Sequence, residues 1–144
     1  CESMTSFTFN NSLKTIEKDA FNGCKSLEKL EFPDTLESIG VQSFQSCKSL
    51  NEVNIPAKIE IIPKRAFFHC ESLETVNLSE GVTTIDSEAF GSCYSLKEIY
   101  ISESVKEIAE NAFDECYELS IKGEPGSYAE EYAKKHNIAF VESK

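Results

Sequence analysis

Tryptophan is absent from this 144-residue chain, methionine and arginine occur once each, as Met4 and Arg65, and histidine occurs only as His69 and His136. Basic charge is scarce as well: 14 Lys and Arg face 25 Asp and Glu, a formal net charge of −11. Nucleic acid is thereby excluded as the main partner, because its binding rests on Lys and Arg neutralising phosphates. Long apolar runs are missing. The longest uninterrupted one is Ile138 to Val141, against roughly 18 residues for a membrane span. The charged and apolar segments of a signal peptide are lacking too, and the chain begins on Cys1 as an excised part of a longer protein would. What remains is 40% apolar and 10% aromatic, enough for the core of one ordinary domain and too much for a chain disordered by composition.

The six cysteines, at 1, 24, 47, 70, 93 and 116, are spaced by 23 residues each time. Phe21, Phe44, Phe67, Phe90 and Phe113 keep the same step, as do Ile16, Ile39, Ile62, Ile85 and Ile108. Self-similarity of this period indicates stacked repeats, none of which can bury its apolar face alone. Written for the second repeat, the apolar positions are Cys24, Leu27, Leu30, Phe32, Leu36, Ile39, Ser43 and Phe44. Over five repeats Ser43 is the one polar residue among these 40 positions, so little apolar material is left to line an independent pocket.

Leu30 and Phe32 alternate with Glu31, the period of a short strand with one face buried. Val53 with Ile55, Val76 with Leu78, and Ile99 with Ile101 repeat the pattern. Pro33 and Pro56 end two of these strands. A second extended segment is expected over Leu36 to Ile39, and a compact helical turn around Ala66-Phe67 and its equivalents. Parallel strands about 4.8 Å apart would place phenylalanines, isoleucines and cysteines in internal columns.

The unit C-x-S-L-x-x-V-x-I-P-x-x-L-x-x-I-x-x-x-A-F, carried here by Cys47, Ser49, Leu50, Val53, Ile55, Pro56, Ile59, Ile62, Ala66 and Phe67, resembles the BspA-like, or Treponema pallidum type, leucine-rich repeat. Met4, Ser43, Ser79 and Ser102 depart from it, and the sixth unit loses register after Leu119. The resemblance implies an α/β, β-rich, right-handed leucine-rich-repeat solenoid with one parallel strand per repeat. It also implies an extracellular or cell-surface setting and roles in adhesion or in binding host or matrix proteins; it supplies no catalytic residues.

The expected organisation is a solenoid over 1–119 and a C-terminal cap of turn, helix and strand over 120–144. Gly123-Glu124-Pro125-Gly126 is turn composition. Ser127 with Glu130 has the form of a capping box before a helix, whose Glu130–Lys134 and Glu131–Lys135 spacings suit ion pairs. Asn137 can end that helix, and Ile138 to Val141 make a last strand. No comparable cap precedes Cys1, so Met4, Phe7 and Phe9 would lie at a raw edge open to self-association.

Reactive chemistry finds little support. The cysteines have neither the two-to-four-residue spacing of zinc thiolates nor the Cβ approach of a disulfide, and read as buried reduced thiols packed as small hydrophobes. His69 and His136 read as surface histidines, and carboxylate pairs such as Glu28 with Glu31 and Glu107 with Glu110 as solvated surface. Asn10-Asn11-Ser12 and Asn77-Leu78-Ser79 match the glycosylation sequon, relevant only on a eukaryotic secretory route. No catalytic set, cofactor or metal site is expected, and the chain reads as non-enzymatic. The candidate binding residues are the outward strand positions Lys29, Glu31, Glu52, Asn54, Thr75, Asn77, Glu98 and Tyr100, with Ser6 and Thr8 at the raw end. Core packing fixes their backbone while their chemistry is free to vary. They would take a protein partner or, second, a glycan, with Tyr100 as an aromatic anchor. The alternative is a passive spacer displaying another domain of a longer parent.

Overall fold

The computed structural model describes residues 1–143; Lys144, the last residue of the expected cap, lies outside the described residues. Each repeat forms one coil carrying a three-residue strand and a two-residue strand. The first kind comprises β1 (Ser6–Thr8), β3 (Lys29–Glu31), β5 (Glu52–Asn54), β7 (Thr75–Asn77) and β9 (Glu98–Tyr100). The second comprises β2 (Thr15–Ile16), β4 (Ser38–Ile39), β6 (Ile61–Ile62), β8 (Thr84–Ile85) and β10 (Glu107–Ile108). Equivalent strands pair in parallel at the 23-residue step, as in Val53 with Val76 and Val76 with Ile99. The central residue of each three-residue strand from β3 to β9 is buried between two outward neighbours.

Inside, the rings of Phe21, Phe44, Phe67, Phe90 and Phe113 stack 5.2 to 5.6 Å apart with planes within 5° of parallel. The expected helical turn is absent. Arg65 and His69 instead take positive φ, as do Gln42 with Ser46 and Glu88 with Ser92 in the flanking coils. With these left-handed residues interspersed, alternate amides point outward and donate to the next coil, while those between them, as from Ala66 to Pro63 O and from Phe68 to Arg65 O, bond within their own coil. Phe44 N–H bonds Ala66 O at 2.9 Å, Phe67 N–H bonds Ala89 O at 2.8 Å, and His69 N–H bonds Gly91 O at 2.8 Å.

The cysteine expectation requires correction at one end. Cys1 and Cys24 form a disulfide, their Cα atoms 5.0 Å apart, within the span such a bond bridges. Parallel Cβ vectors hold where coils on both sides clamp a cysteine, whereas exposed Cys1 has a described coil on one side only and can turn to its partner. Cys47, Cys70, Cys93 and Cys116 are free. They do more than fill space: each thiol donates to the carbonyl of the phenylalanine 26 residues earlier, as from Cys70 to Phe44 at 3.3 Å and from Cys93 to Phe67 at 3.2 Å. Burial pushes the Cys47 thiol up to about 12, and raises Cys70 and Cys93 well above the ordinary range, which removes the thiolate that nucleophilic chemistry needs.

A further correction concerns the N-terminal edge. Phe9 is buried, its ring 5.5 Å from Phe21 and 5.7 Å from Phe32; of the raw-edge residues, Phe7 stays exposed. After Leu119 the 23-residue register is lost, as expected, while the stacking continues. Strand β11 (Ser120–Gly123) pairs Ile121 with Ile99, so one coil is a residue short and the ladder is kept.

Helix α1 (Tyr128–Lys135) follows, with the Ser127 side chain accepting the Glu130 N–H. The reciprocal arm reaches one residue further back than a capping box, Glu130 accepting from Gly126 N–H at 2.7 Å. Glu130 pairs with Lys134 at 2.8 Å, but Lys135 pairs with Glu110 at 2.6 Å and not with Glu131, because the helix lies against the last coil. Tyr132 sets it there, its ring 6.1 Å from Phe113 and its hydroxyl donating to Ala109 O at 3.0 Å. Strand β12 (Ala139–Glu142) returns beside β11, giving the sheet order β12-β11-β9-β7-β5.

Both ladders are interrupted at one level. Strands β1 and β3 form one pair and β2 and β4 another, separate from the sheets beginning at β5 and β6. Asp86 N–H bonds Ile62 O and Ala109 N–H bonds Ile85 O, each at 2.9 Å. Pro63 occupies the equivalent place and has no N–H to return to Ile39. Beside it an open groove of about 680 Å³ runs between the coils, lined by Ile39, Ala57, Ile61, Pro63 and Gly81 among others.

Candidate functional site

The outward strand residues form two columns. Glu52, Thr75 and Glu98 stand in register in one, and Asn54, Asn77 and Tyr100 in the other. Within the second, Asn77 Nδ2 donates to Asn54 Oδ1 at 2.7 Å, and Asn54 Nδ2 reaches across to the first, donating to Glu52 Oε1 at 3.4 Å. The amides therefore present a fixed donor and acceptor pattern. Thr75 and Tyr100 are half-buried and the other six candidates exposed. Lys29 and Glu31 sit on the far side of the ladder break but share a shallow depression of about 240 Å³ with Asn51, Glu52 and Asn54. All eight candidate residues thus lie along one face.

That face is longer than the repeats alone suggest. Pairing with β11 extends the columns from Glu98 to Ser120 and from Tyr100 to Lys122, and β12 adds Ala139 and Val141. An open groove of about 570 Å³ lies over this end, lined by Asn77, Glu98, Tyr100, Lys122, Glu124, Val141, Glu142 and Ser143. Lys122 and Val141 escape a reading at strict period because the last coil is one residue short. The alternation in Ser120-Ile121-Lys122, once the register is shifted by one, would have revealed Lys122, whereas the place of Val141 depends on β12 pairing with β11.

Ion pairs line the turn edge instead. The Lys48 ammonium, hydrogen-bonded to Glu71, holds that carboxyl below the usual range, with His69 Nε2 also 2.8 Å away. The Arg65 guanidinium does the same to Glu88, its Nε 2.5 Å from the carboxylate. Among the described residues no group of three or more His, Cys, Asp and Glu is placed to hold a metal ion, and no helix is long and apolar enough to cross a membrane.

The fold and repeat place the chain in a class of known proteins. The BspA type leucine-rich repeat region, in six copies, matches residues 1–120, and the chain belongs to this family. A leucine-rich cell surface protein of Faecalibacterium prausnitzii superposes over 98% of this chain and 36% of its own, at 31% identity and a TM-score of 0.82. The leucine-rich repeat protein of T. pallidum covers 82% of this chain and 58% of its own, at 29% identity and a TM-score of 0.78. A leucine-rich repeat protein of Bacteroides ovatus covers 81% and 39%, at 25% identity and a TM-score of 0.67. This chain therefore spans about a third of the Faecalibacterium protein's length. No curated protein sequence matches it.

Proposed function

We propose that this chain is a non-enzymatic protein-interaction module of a secreted or cell-surface protein, engaging its partner through the strand face. One observation carries the reading. Side chains of varied chemistry stand in register on strands whose alternate residues are locked in the core, Val53, Val76 and Ile99 all being fully buried. Such a face is rigid, so a partner binds without ordering it, and its composition can change without disturbing the fold. The surface setting draws on the Faecalibacterium relative, described as a cell surface protein. Residues 120–143 serve here as a terminal cap that also lengthens the face.

The test is surface plasmon resonance against purified matrix and serum proteins. It compares the wild-type chain with the quadruple variant Glu52→Ala, Asn54→Ala, Thr75→Ala and Asn77→Ala. Saturable binding that falls at least tenfold in a variant of unchanged circular dichroism supports the reading. Retained affinity removes the strand face. Absence of any saturable partner, together with intact parent function after exchange of these repeats for others of equal length, would favour a spacer, a role that uniform stacking also permits.

A further inference from the structure

The turn edge carries a second set of aromatic residues outside the core. The His69 ring lies 5.9 Å from Phe68 and 6.0 Å from Tyr94, and Tyr94 stacks on Tyr117 at 6.4 Å with planes 4° apart. Tyr94 is 41% exposed and Tyr117 77%. Beyond Tyr117 a cleft of about 270 Å³ opens between the last coil and α1, lined by Asp114, Glu115, Tyr117, His136 and Asn137 among others.

The same edge already shows what chemistry suits such a place. Arg65, the chain's only arginine, lays its guanidinium over the Phe68 ring at 5.0 Å while its Nε meets Glu88. Ring face, carboxylate and planar cation make a complete set there. At the other end of the stack the ring and carboxylates are present without the cation. Glu115 accepts from Ser92 Oγ at 2.6 Å and Tyr94 Oη at 3.5 Å, neutral donors that hold it in position. Neither Glu115 nor Asp114 pairs with a Lys, Arg or His among the described residues. Glu110, on the rim, is taken by Lys135 and lies 3.4 Å from His136.

We infer that the cleft between the last coil and α1 binds an arginine side chain of a basic partner polypeptide, its guanidinium stacked on Tyr117 and hydrogen-bonded to Glu115 and Asp114. Arginine is favoured over lysine because a planar fork can stack and bridge carboxylate oxygens together, which a point charge cannot. The chain's net charge of −11 draws a basic segment to the surface, and the ring and carboxylates decide where it settles. This site is separate from the strand face, and either can fail alone.

The experiment is isothermal titration of the full chain with an arginine hexapeptide and a lysine hexapeptide in physiological salt, with Tyr117→Ala, Glu115→Gln and, as a control at an exposed carboxylate outside both this cleft and the strand face, Glu17→Gln. Saturable arginine-peptide binding is expected, weakened about threefold by Tyr117→Ala and about tenfold by Glu115→Gln, unchanged by Glu17→Gln, and stronger than lysine-peptide binding. Equal loss in Glu17→Gln, equal affinity for both peptides, full affinity in Tyr117→Ala, or no saturable binding would each overturn the inference. Exposed Tyr117 and the isosteric Glu115→Gln change leave the core untouched, and circular dichroism verifies folding.

Discussion

Ser43 marks where the repeat departs from its own rule. Ala20, Ala66, Ala89 and Ala112 hold the equivalent place, and the Ser43 hydroxyl is fully buried with no hydrogen-bond partner among the described residues. An unpaired buried hydroxyl forfeits its hydration without recompense. Ser43→Ala is therefore expected to stabilise the fold by about 1 kcal/mol or more, read as a higher urea midpoint at constant m. An unchanged or lower midpoint would mean that water or a shifted rotamer satisfies the hydroxyl. The cysteines make the complementary point. Sequence reading took them as small hydrophobes, yet their thiols donate to Phe carbonyls of the preceding coil, a role that depends on where the previous turn places its C=O.

At the scale of elements, close approach between coils decides which residues are tolerated. A Cβ on Gly81 would run into the Ala57 carbonyl oxygen, which belongs to backbone and cannot swing aside. Gly81→Ala is expected to cost about 1–3 kcal/mol through overpacking, measured by denaturant unfolding. Wild-type stability in that variant would show that the coils can separate there at no cost. The interruption between β4 and β6 belongs to the same scale. Pro63 is plain in the sequence, but its consequence depends on knowing that the residue after the second strand must donate to the coil behind it. Likewise the turns around Ala66-Phe67 have helix-compatible composition, and only the stacked neighbour, accepting the outward N–H groups, makes the left-handed conformation the better choice.

For the whole molecule, acid response follows from its ion pairs. Glu71, Glu88, Glu110 and Glu130 all have carboxyls held below their ordinary values, chiefly by hydrogen bonds from Lys48, Arg65, Lys135 and Lys134 respectively. A carboxylate whose folded pKa lies below its unfolded value contributes stability that is complete above the unfolded value and lost as pH falls through the folded one. Thermal midpoints are expected to be level from pH 8 to 6 and to decline below the ordinary carboxylate range, about pH 4.5. These pairs are largely exposed, so the decline should be shallow and reduced by added salt. A midpoint that rises on acidification would show that relief of repulsion in a chain of −11 outweighs them.

The sequence by itself determined the period, the short strand with one buried face, the stacking of Phe44 on Phe67, and the eight outward residues from Lys29 to Tyr100. These depend on spacing alone, and spacing survives whatever path the chain takes between repeats. Tertiary structure alone decided the Cys1–Cys24 disulfide, the pairing of β12 that brings Val141 onto the strand face, the break beside Pro63, and the cleft that α1 closes against the last coil beside Tyr117 and Glu115. Each is set by what lies across a gap between coils, or between coil and helix, and the distance over such a gap is written in no single repeat.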